Sequence, residues 1–281
     1  MQLPNNAATN GWYNVLPDPA PAKQVSGTVR APYVVLGAGV TGLSAARQLA
    51  THLPDEEIVL IEAERVGFGT SGRNSGFALD SFFHGDEPLN NPELSAAHAR
   101  LCTGGLNILR KLVKENEIEC GWHDWGKLHV SAGAEGDASL IGLVQGYETL
   151  GIQAQELNAD EVAAVTGSTF YTAGLKVEAT GLMNPAAMCR GLGETLPSNV
   201  TLYENTPVHR LERGQPSRLI TANGEVIADH LIMCTNVFSP ALGFSKSDMV
   251  PVVIYASLTR PMTALEQAEI GGDANGFGLL P

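Results

Sequence analysis

From Tyr33 to Ala63 the chain reads YVVLGAGVTGLSAARQLATHLPDEEIVLIEA. Residues 33–36 are a short apolar run rich in β-branched side chains, the pattern of a buried strand. Gly37-Ala38-Gly39-Val40-Thr41-Gly42 follows as G-x-G-x-x-G. Leu43, Ala46, Leu49, Ala50 and Leu53 then recur at helical spacing, and residues 58–61 form a second apolar run. Glu62 closes that run, 20 residues after Gly42. Each part has a physical job. Gly37 allows the tight turn out of the strand, Gly39 lets a pyrophosphate approach the backbone, and Gly42 lets the helix pack close to the strand. The helix start presents free N–H groups and a partial positive charge to phosphates. A carboxylate at the end of the second strand can accept hydrogen bonds from ribose hydroxyls. A glycine triplet alone is weak evidence. Here strand, glycines, helix, second strand and acidic end come in order and at the right separation, against an ordinary strand–helix–strand unit with a glycine-rich turn.

Outside this unit the bulk properties set limits. The 281 residues suffice for two domains or one large one, and 44% hydrophobic residues supply a sizeable core. A net charge of −13 argues against nucleic acid as a partner, because no basic stripe is available to neutralise phosphates. Cys102, Cys120, Cys189 and Cys234 have neither zinc-site nor disulfide-framework spacing, so reduced thiols in a cytoplasmic protein are expected. Residues 1–22 lack the pattern of a secretory signal, and the uncharged stretch at 31–46 is too short and too broken by Pro32 and glycines to span a bilayer.

Residues 1–30, rich in Pro, Asn and Ala, read as an irregular arm whose Trp12 and Tyr13 dock onto the body. Residues 64–77, ERVGFGTSGRNSGF, read as a loop with close backbone approach to a ligand. Arg73 is a fixed cation on it, and Thr70, Ser71, Asn74 and Ser75 add hydrogen-bonding groups. A helix weakened by Gly104 and Gly105 is expected over 92–117, a strand over 126–131 and a helix over 138–150. Asn158 opens a capping box with Glu161. Asn184 and Pro185 mark an N-cap and first helical position, with strands at 200–203 and 207–212 beyond. Asn223-Gly224 signals a type I′ hairpin between strands at 218–221 and 225–228. Further strands are expected at 229–234 and along the β-rich run 250–259, then a helix from the Thr263–Glu266 capping box to Gly271.

Taken together, VLGAGVTGLSAARQLA (35–50), IEAERVGFGTSGRNSGF (61–77), GLMNPAAMCRGL (181–192), VTLYENTPVHRLE (200–212) and ADHLIMCTN (228–236) resemble the FAD-dependent oxidoreductases of the D-amino-acid oxidase superfamily. The SGRN-G loop is most similar to that of the γ-glutamylputrescine oxidase-like branch. The resemblance implies an α/β fold: an FAD-binding, Rossmann-like domain of glutathione-reductase type plus an α+β substrate domain. The corresponding division is an arm at 1–30, an FAD domain at 31–90 and 180–245, and a partial substrate domain at 91–179 and 246–281. The family continues past the point matching Pro281, so the substrate domain is expected to be truncated here. By residue match, Gly37 to Gly42 and Glu62 with Ala63 belong to the cofactor site: Ala38, Gly39, Val40 and Thr41 would face the pyrophosphate, and Glu62 would hold the adenosine ribose. Thr70, Ser71, Arg73, Asn74 and Ser75 would line the middle of the FAD, Val208 would meet the adenine, and Cys234 and Thr235 would form a turn beside the cofactor.

The resemblance implies oxidation of an amine or amino acid by hydride transfer to flavin N5. It identifies no catalytic residue; His84, downstream of the SGRN segment, is the histidine to test. His123, His129 and His209 have no metal-ligand spacing, and G-x-S-x-G is absent. Two other readings stay open on the residues alone: a non-catalytic or incomplete flavin-binding chain, and an NAD(P)-dependent Rossmann dehydrogenase, since Glu62 suits either dinucleotide.

Overall fold

The computed structural model of the chain describes residues 10–81, 87–178, 180–245, 248–252, 254–257, 259–272 and 278–280. They divide into two compact units. The first holds Met1–Ser75, Asn116–Cys120 and Asn184–Leu258; the second holds Gly76–Glu115, Gly121–Met183 and Thr259–Pro281.

The first unit is built on one sheet. Its strands are β1 (Gly27–Leu36), β2 (Ile58–Ile61), β3 (Val200–Tyr203), β4 (Arg210–Glu212), β5 (Ser217–Ile220) and β6 (Gly224–Met233), in the spatial order β3-β2-β1-β6-β5-β4. β3, β2, β1 and β6 run parallel, while β5 and β4 add an antiparallel edge. Among the described residues, three α-helices belong to this unit: α1 (Gly11–Asn14), α2 (Val40–His52) and α3 (Pro185–Glu194). On the sheet, Val34, Leu36, Val59, Ile61, Leu219 and Val226 form a single apolar layer. α2 buries Leu43, Ala46 and Ala50. Each such fully buried aliphatic side chain contributes about 1.5–3 kcal/mol.

β1 begins at Gly27, well before the apolar run at 33–36. Its added residues are held by a parallel ladder that runs from Gly27↔Gly224 to Leu36↔Met233, with an Arg30–Asp229 ion pair at 3.1 Å across it. Pro32, which has no N–H to give, is the residue missing from that register. The two expected strands at 225–228 and 229–234 are one ten-residue strand, β6. The Asn223-Gly224 hairpin is present, but the type I′ geometry is not. That turn needs positive φ at both central residues, and neither residue has it. Gly224 answers to a different constraint: a Cβ there would strike the carbonyl oxygen of Gly27 on the neighbouring strand.

The second unit carries a four-stranded sheet ordered Gly278–Leu280, Lys127–Ser131, Ala173–Val177, Ala154–Asn158. The last three pair antiparallel, and Gly278–Leu280 adds a parallel edge. The helix Ala134–Thr149 packs Leu140 and Tyr147 against Leu175 and Val177. Val162, on the helix Ala159–Thr166, packs with Leu128 and Leu157. Asn158 caps that helix through the expected box, accepting from Asp160 and Glu161 N–H at 3.0 Å. The helix Pro92–Glu115 runs unbroken through Gly104 and Gly105. Two glycines cost about 1 kcal/mol each, which burial of Leu106 and Val113 on the same helix offsets. Within this unit Lys127 and Asp80 form a buried ion pair at 3.5 Å. The β-rich run at 250–259 forms no strand among its described residues; Val250, Val252 and Ile254 stand exposed instead. A strand needs a partner ladder, and none meets this run among the described residues.

Candidate functional site

The carboxyl ends of β1, β2 and β6 meet at the glycine turn. In open α/β sheets this is where ligands bind. Gly37 leaves β1 with φ +103°, and its N–H bonds Ile61 O at the end of β2 at 2.7 Å. A Cβ on Gly37 would lie 2.6 Å from Cys234 O, and one on Gly42 would run into Gly37 O. So neither of these two positions has room for a side chain. α2 starts at Val40, and its first N–H groups have no acceptor within the helix.

Glu62 closes β2 and reaches back over this turn. One carboxylate oxygen accepts from Ala38 N–H at 2.8 Å and the other from Glu64 N–H at 3.1 Å. Burial pushes its pKa up, these backbone donors pull it down, and the nearby Glu204 raises it further. Ala63 is exposed beside it.

The SGRN loop lies over the helix start. Thr70–Gly72 forms one turn of 3-10 helix, which places Ser71 Oγ 3.0 Å from Val40 N as acceptor. The space above Gly39 is open to that hydroxyl alone: a Cβ on Gly39 would lie 2.8 Å from Ser71 Oγ. Arg73 donates from Nε to Phe68 O at 2.6 Å and stacks on the Phe68 ring at 4.2 Å. Among the described residues, its Nη2 is buried without a hydrogen-bond partner. Burial holds the guanidinium below its usual pKa, with Tyr13 and Glu64 opposing that shift. Asn74 folds back to donate to Thr70 O and Ser71 O, while Thr70 and Ser75 are exposed.

Cys234 and Thr235 form the turn after β6. Cys234 N–H bonds Leu36 O at 2.8 Å, and Thr235 Oγ1 lies 2.8 Å from Ser239 Oγ. Burial raises the Cys234 thiol, so it stays protonated and packs as a small apolar group. Val208 packs on the apolar layer of the sheet, two residues beyond Thr206, whose N–H donates to Glu62 O at 3.0 Å. The turn 37–42, Glu62, loop 70–75 and residues 234–235 therefore share one end of the sheet. His84 lies outside the described residues. Among the described residues, no group of His, Cys, Asp and Glu could hold a metal ion, and no helix is long and apolar enough to cross a membrane. None of the four cysteines forms a disulfide among the described residues.

Two features escaped the sequence reading. Glu204 follows Tyr203, which pairs with Ile61, so it occupies on β3 the place Glu62 has on β2. It accepts from Val66 N–H at 2.7 Å and pairs with Arg65 at 3.3 Å, bracing the start of the loop. An acidic residue closing each of two neighbouring strands was the available signal. Cys189, on α3, lies against Gly67, and burial pushes its thiol up to about 12. It follows from α3 packing beneath the loop, which no local pattern announces.

Comparison with known proteins agrees with this geometry. The profile of the DAO family, described as FAD dependent oxidoreductase, matches residues 32–278. A probable oxidoreductase OrdL of Haemophilus influenzae is 28% identical over 244 residues, covering 82% of this chain and 55% of that protein. The gamma-glutamylputrescine oxidoreductase of Escherichia coli is 27% identical over 224 residues, covering 78% of this chain and 52% of that protein. The chain thus spans about half the length of these curated relatives. Among solved structures, glycine oxidase from Geobacillus kaustophilus superposes with a TM-score of 0.64 at 19% identity, over 76% of this chain and 58% of that one. That likeness shows the fold. A parallel sheet with a glycine turn and an acidic strand end at its carboxyl edge, together with a profile match over most of its length, means that this chain belongs to the FAD dependent oxidoreductases of the DAO family.

Proposed function

We propose that this end of the first unit holds FAD and that the protein to which the chain corresponds oxidises an amine or amino acid. The observation that carries the reading is the buried Nη2 of Arg73, unpartnered among the described residues, on a loop laid over the start of α2. An orphaned cationic donor is costly unless a ligand takes it up. A glycine turn that a Cβ would fill, and a carboxylate reaching over it, fit a dinucleotide at the same place.

The amides of Ala38, Gly39, Val40 and Thr41 would face the pyrophosphate, with the helix start favouring its charge. Glu62 would accept from the ribose hydroxyls, with Ala63 exposed alongside. Ser71 would yield Val40 N–H to a phosphate oxygen, or share it. Thr70, Arg73, Asn74 and Ser75 would line the middle of the cofactor. Val208, with its neighbours on the β3 side, would border the adenine. Thr235, next to the inert Cys234, would close the near wall. Bound there, a flavin supplies the hydride acceptor, at N5, and the means of passing electrons onward. The chain's own contribution is orientation and charge: Arg73 stabilises negative charge on whatever its free nitrogen meets.

The relatives support the substrate class. One is named for γ-glutamylputrescine, an amine, and the similar structures include amino-acid oxidases. The test is reconstitution. The purified chain mixed with FAD is expected to retain a yellow, flavin-type spectrum after desalting. Glu62→Ala and Gly39→Leu should each weaken that retention at least about tenfold, the loss of roughly one charge-assisted hydrogen bond or more. Retention of NAD in place of flavin, or both variants keeping the parent's chromophore, defeats the reading. Bleaching of the bound flavin by an amine under anaerobic conditions would support the catalytic half of the proposal. A flavin that no amine reduces would leave a binding chain in its place.

A further inference from the structure

We propose that Asn10, Trp12 and Tyr13 are positioning residues: they clip the loop from Val66 to Asn74 into the shape in which it receives the cofactor. The inference rests on the reading of residues 70–75 as a cofactor loop.

Three side chains from one short stretch reach three carbonyl oxygens of that loop. Asn10 Nδ2 donates to Gly72 O at 3.1 Å, Trp12 Nε1 to Asn74 O at 2.8 Å and Tyr13 OH to Val66 O at 2.8 Å. None of these donors serves α1 itself. Asn10 uses the other end of its amide for that, accepting from Trp12 N–H at 2.9 Å, so both ends of the group are committed. The phenol of Tyr13 lies directly on the loop's glycines: a Cβ on Gly72 would sit 2.8 Å from its oxygen, and one on Gly67 3.1 Å away.

The arm can act as a clip because it is tied down elsewhere. Asn184, the N-cap of α3, donates to Trp12 O at 3.2 Å. Arg190 donates to Pro17 O at 2.6 Å, Arg65 to Ala20 O at 2.7 Å, and Glu204 N–H to Lys23 O at 2.9 Å. The loop also has bonds of its own: Gly72 N–H to Gly67 O at 2.8 Å, Arg73 N–H to Thr70 O at 3.2 Å, the Asn74 amide to Thr70 O and Ser71 O, and Gly67 N–H to Ala38 O at 3.0 Å on the glycine turn. The loop carries Ser71, set on Val40, and the unpartnered nitrogen of Arg73. A loop already held in place gives up less conformational freedom when a ligand binds, and affinity gains by that amount.

The experiment uses the full chain with Asn10→Ala, Trp12→Phe and Tyr13→Phe, singly and combined. The first readout is hydrogen exchange at the amides of Gly67, Gly72 and Arg73, and it needs no flavin. Each single variant is expected to speed exchange there about fivefold, the worth of one hydrogen bond, and the triple variant more. Amides of β1 and α2 should keep their rates. Trp122→Phe, which removes an indole donor to Asp124 in the second unit, should leave the loop unchanged. The second readout is the FAD dissociation constant by flavin fluorescence, expected to rise at least about tenfold in the triple variant. Unchanged loop exchange in the triple variant overturns the proposal. So does exchange that rises equally in β1 and α2, because the arm is then a general prop. If the parent takes up no flavin, the functional reading fails while the exchange rates still decide whether the clip exists.

Discussion

Gly42 shows how tightly the site is specified at the scale of one residue. Its missing side chain is the space occupied by the carbonyl of Gly37, and that carbonyl is backbone, which cannot swing aside. Gly42→Ala must therefore push α2 off β1, and it is expected to cost about 3 kcal/mol or more in a urea denaturation series. Gly39 differs, although it belongs to the same motif. There the obstruction is the hydroxyl of Ser71, the far end of a rotatable side chain. Gly39→Ala should fold with little loss, within about 1 kcal/mol of the parent, while displacing Ser71 from Val40 N–H. The contrast separates a glycine needed for packing from one that keeps the floor of a cradle clear. The pattern G-x-G-x-x-G names both positions, but only the spatial neighbours tell which is which.

At the scale of elements, two helix starts and one strand invite measurement. Asn184 caps α3 by accepting from Ala186 and Ala187 N–H at 3.0 and 3.1 Å, and its amide nitrogen also holds Trp12 O. Asn158 caps a helix without such a second duty. Both caps should cost about 1 kcal/mol on replacement by Ala, with Asn184→Ala the more damaging because it also frees the arm; thermal melts compare them directly. The strand Lys127–Ser131 carries His129, whose Nε2 lies 3.3 Å from Tyr147 OH. Burial, with Lys127 adding to it, lowers this imidazole from the ordinary 6.5 to about 4. Between those values the unfolded chain binds the proton and the folded chain does not. Stability is thus fully present above about pH 6.5 and falls as the pH drops toward 4, by up to about 3 kcal/mol. His129→Gln should remove that slope from a plot of urea midpoint against pH. Most of these elements were legible from local pattern: the caps, Pro185 and the apolar run at 33–36. The length of β1 and the merging of β6 were not, because each strand end is set by the other's ladder.

For the molecule as a whole, two regions of similar hydrophobicity meet different fates. Leu43 on α2 is fully buried, whereas Val252 and Ile254 stand at 79% and 86% exposure. Leu43→Ala is expected to destabilise the first unit by about 2–5 kcal/mol. Val252→Lys with Ile254→Lys should leave its urea midpoint unchanged within about 0.5 kcal/mol. A large loss from the double lysine variant would mean that this run packs against something after all. The β-rich composition of that run promised a strand, but composition states only what a segment can do once a neighbouring edge receives it.

What the sequence by itself determined is the strand–turn–helix–strand unit from β1 to β2, the acidic end at Glu62 and the capped helix starts. All of these rest on interactions between residues close along the chain. Only the tertiary structure decided that Ser71 sits on Val40, that Arg73 keeps one nitrogen unpaired, and that three side chains of the arm hold the loop. The first and the last depend on partners dozens of residues away, the second on burial, and none of them leaves a periodic trace in the chain.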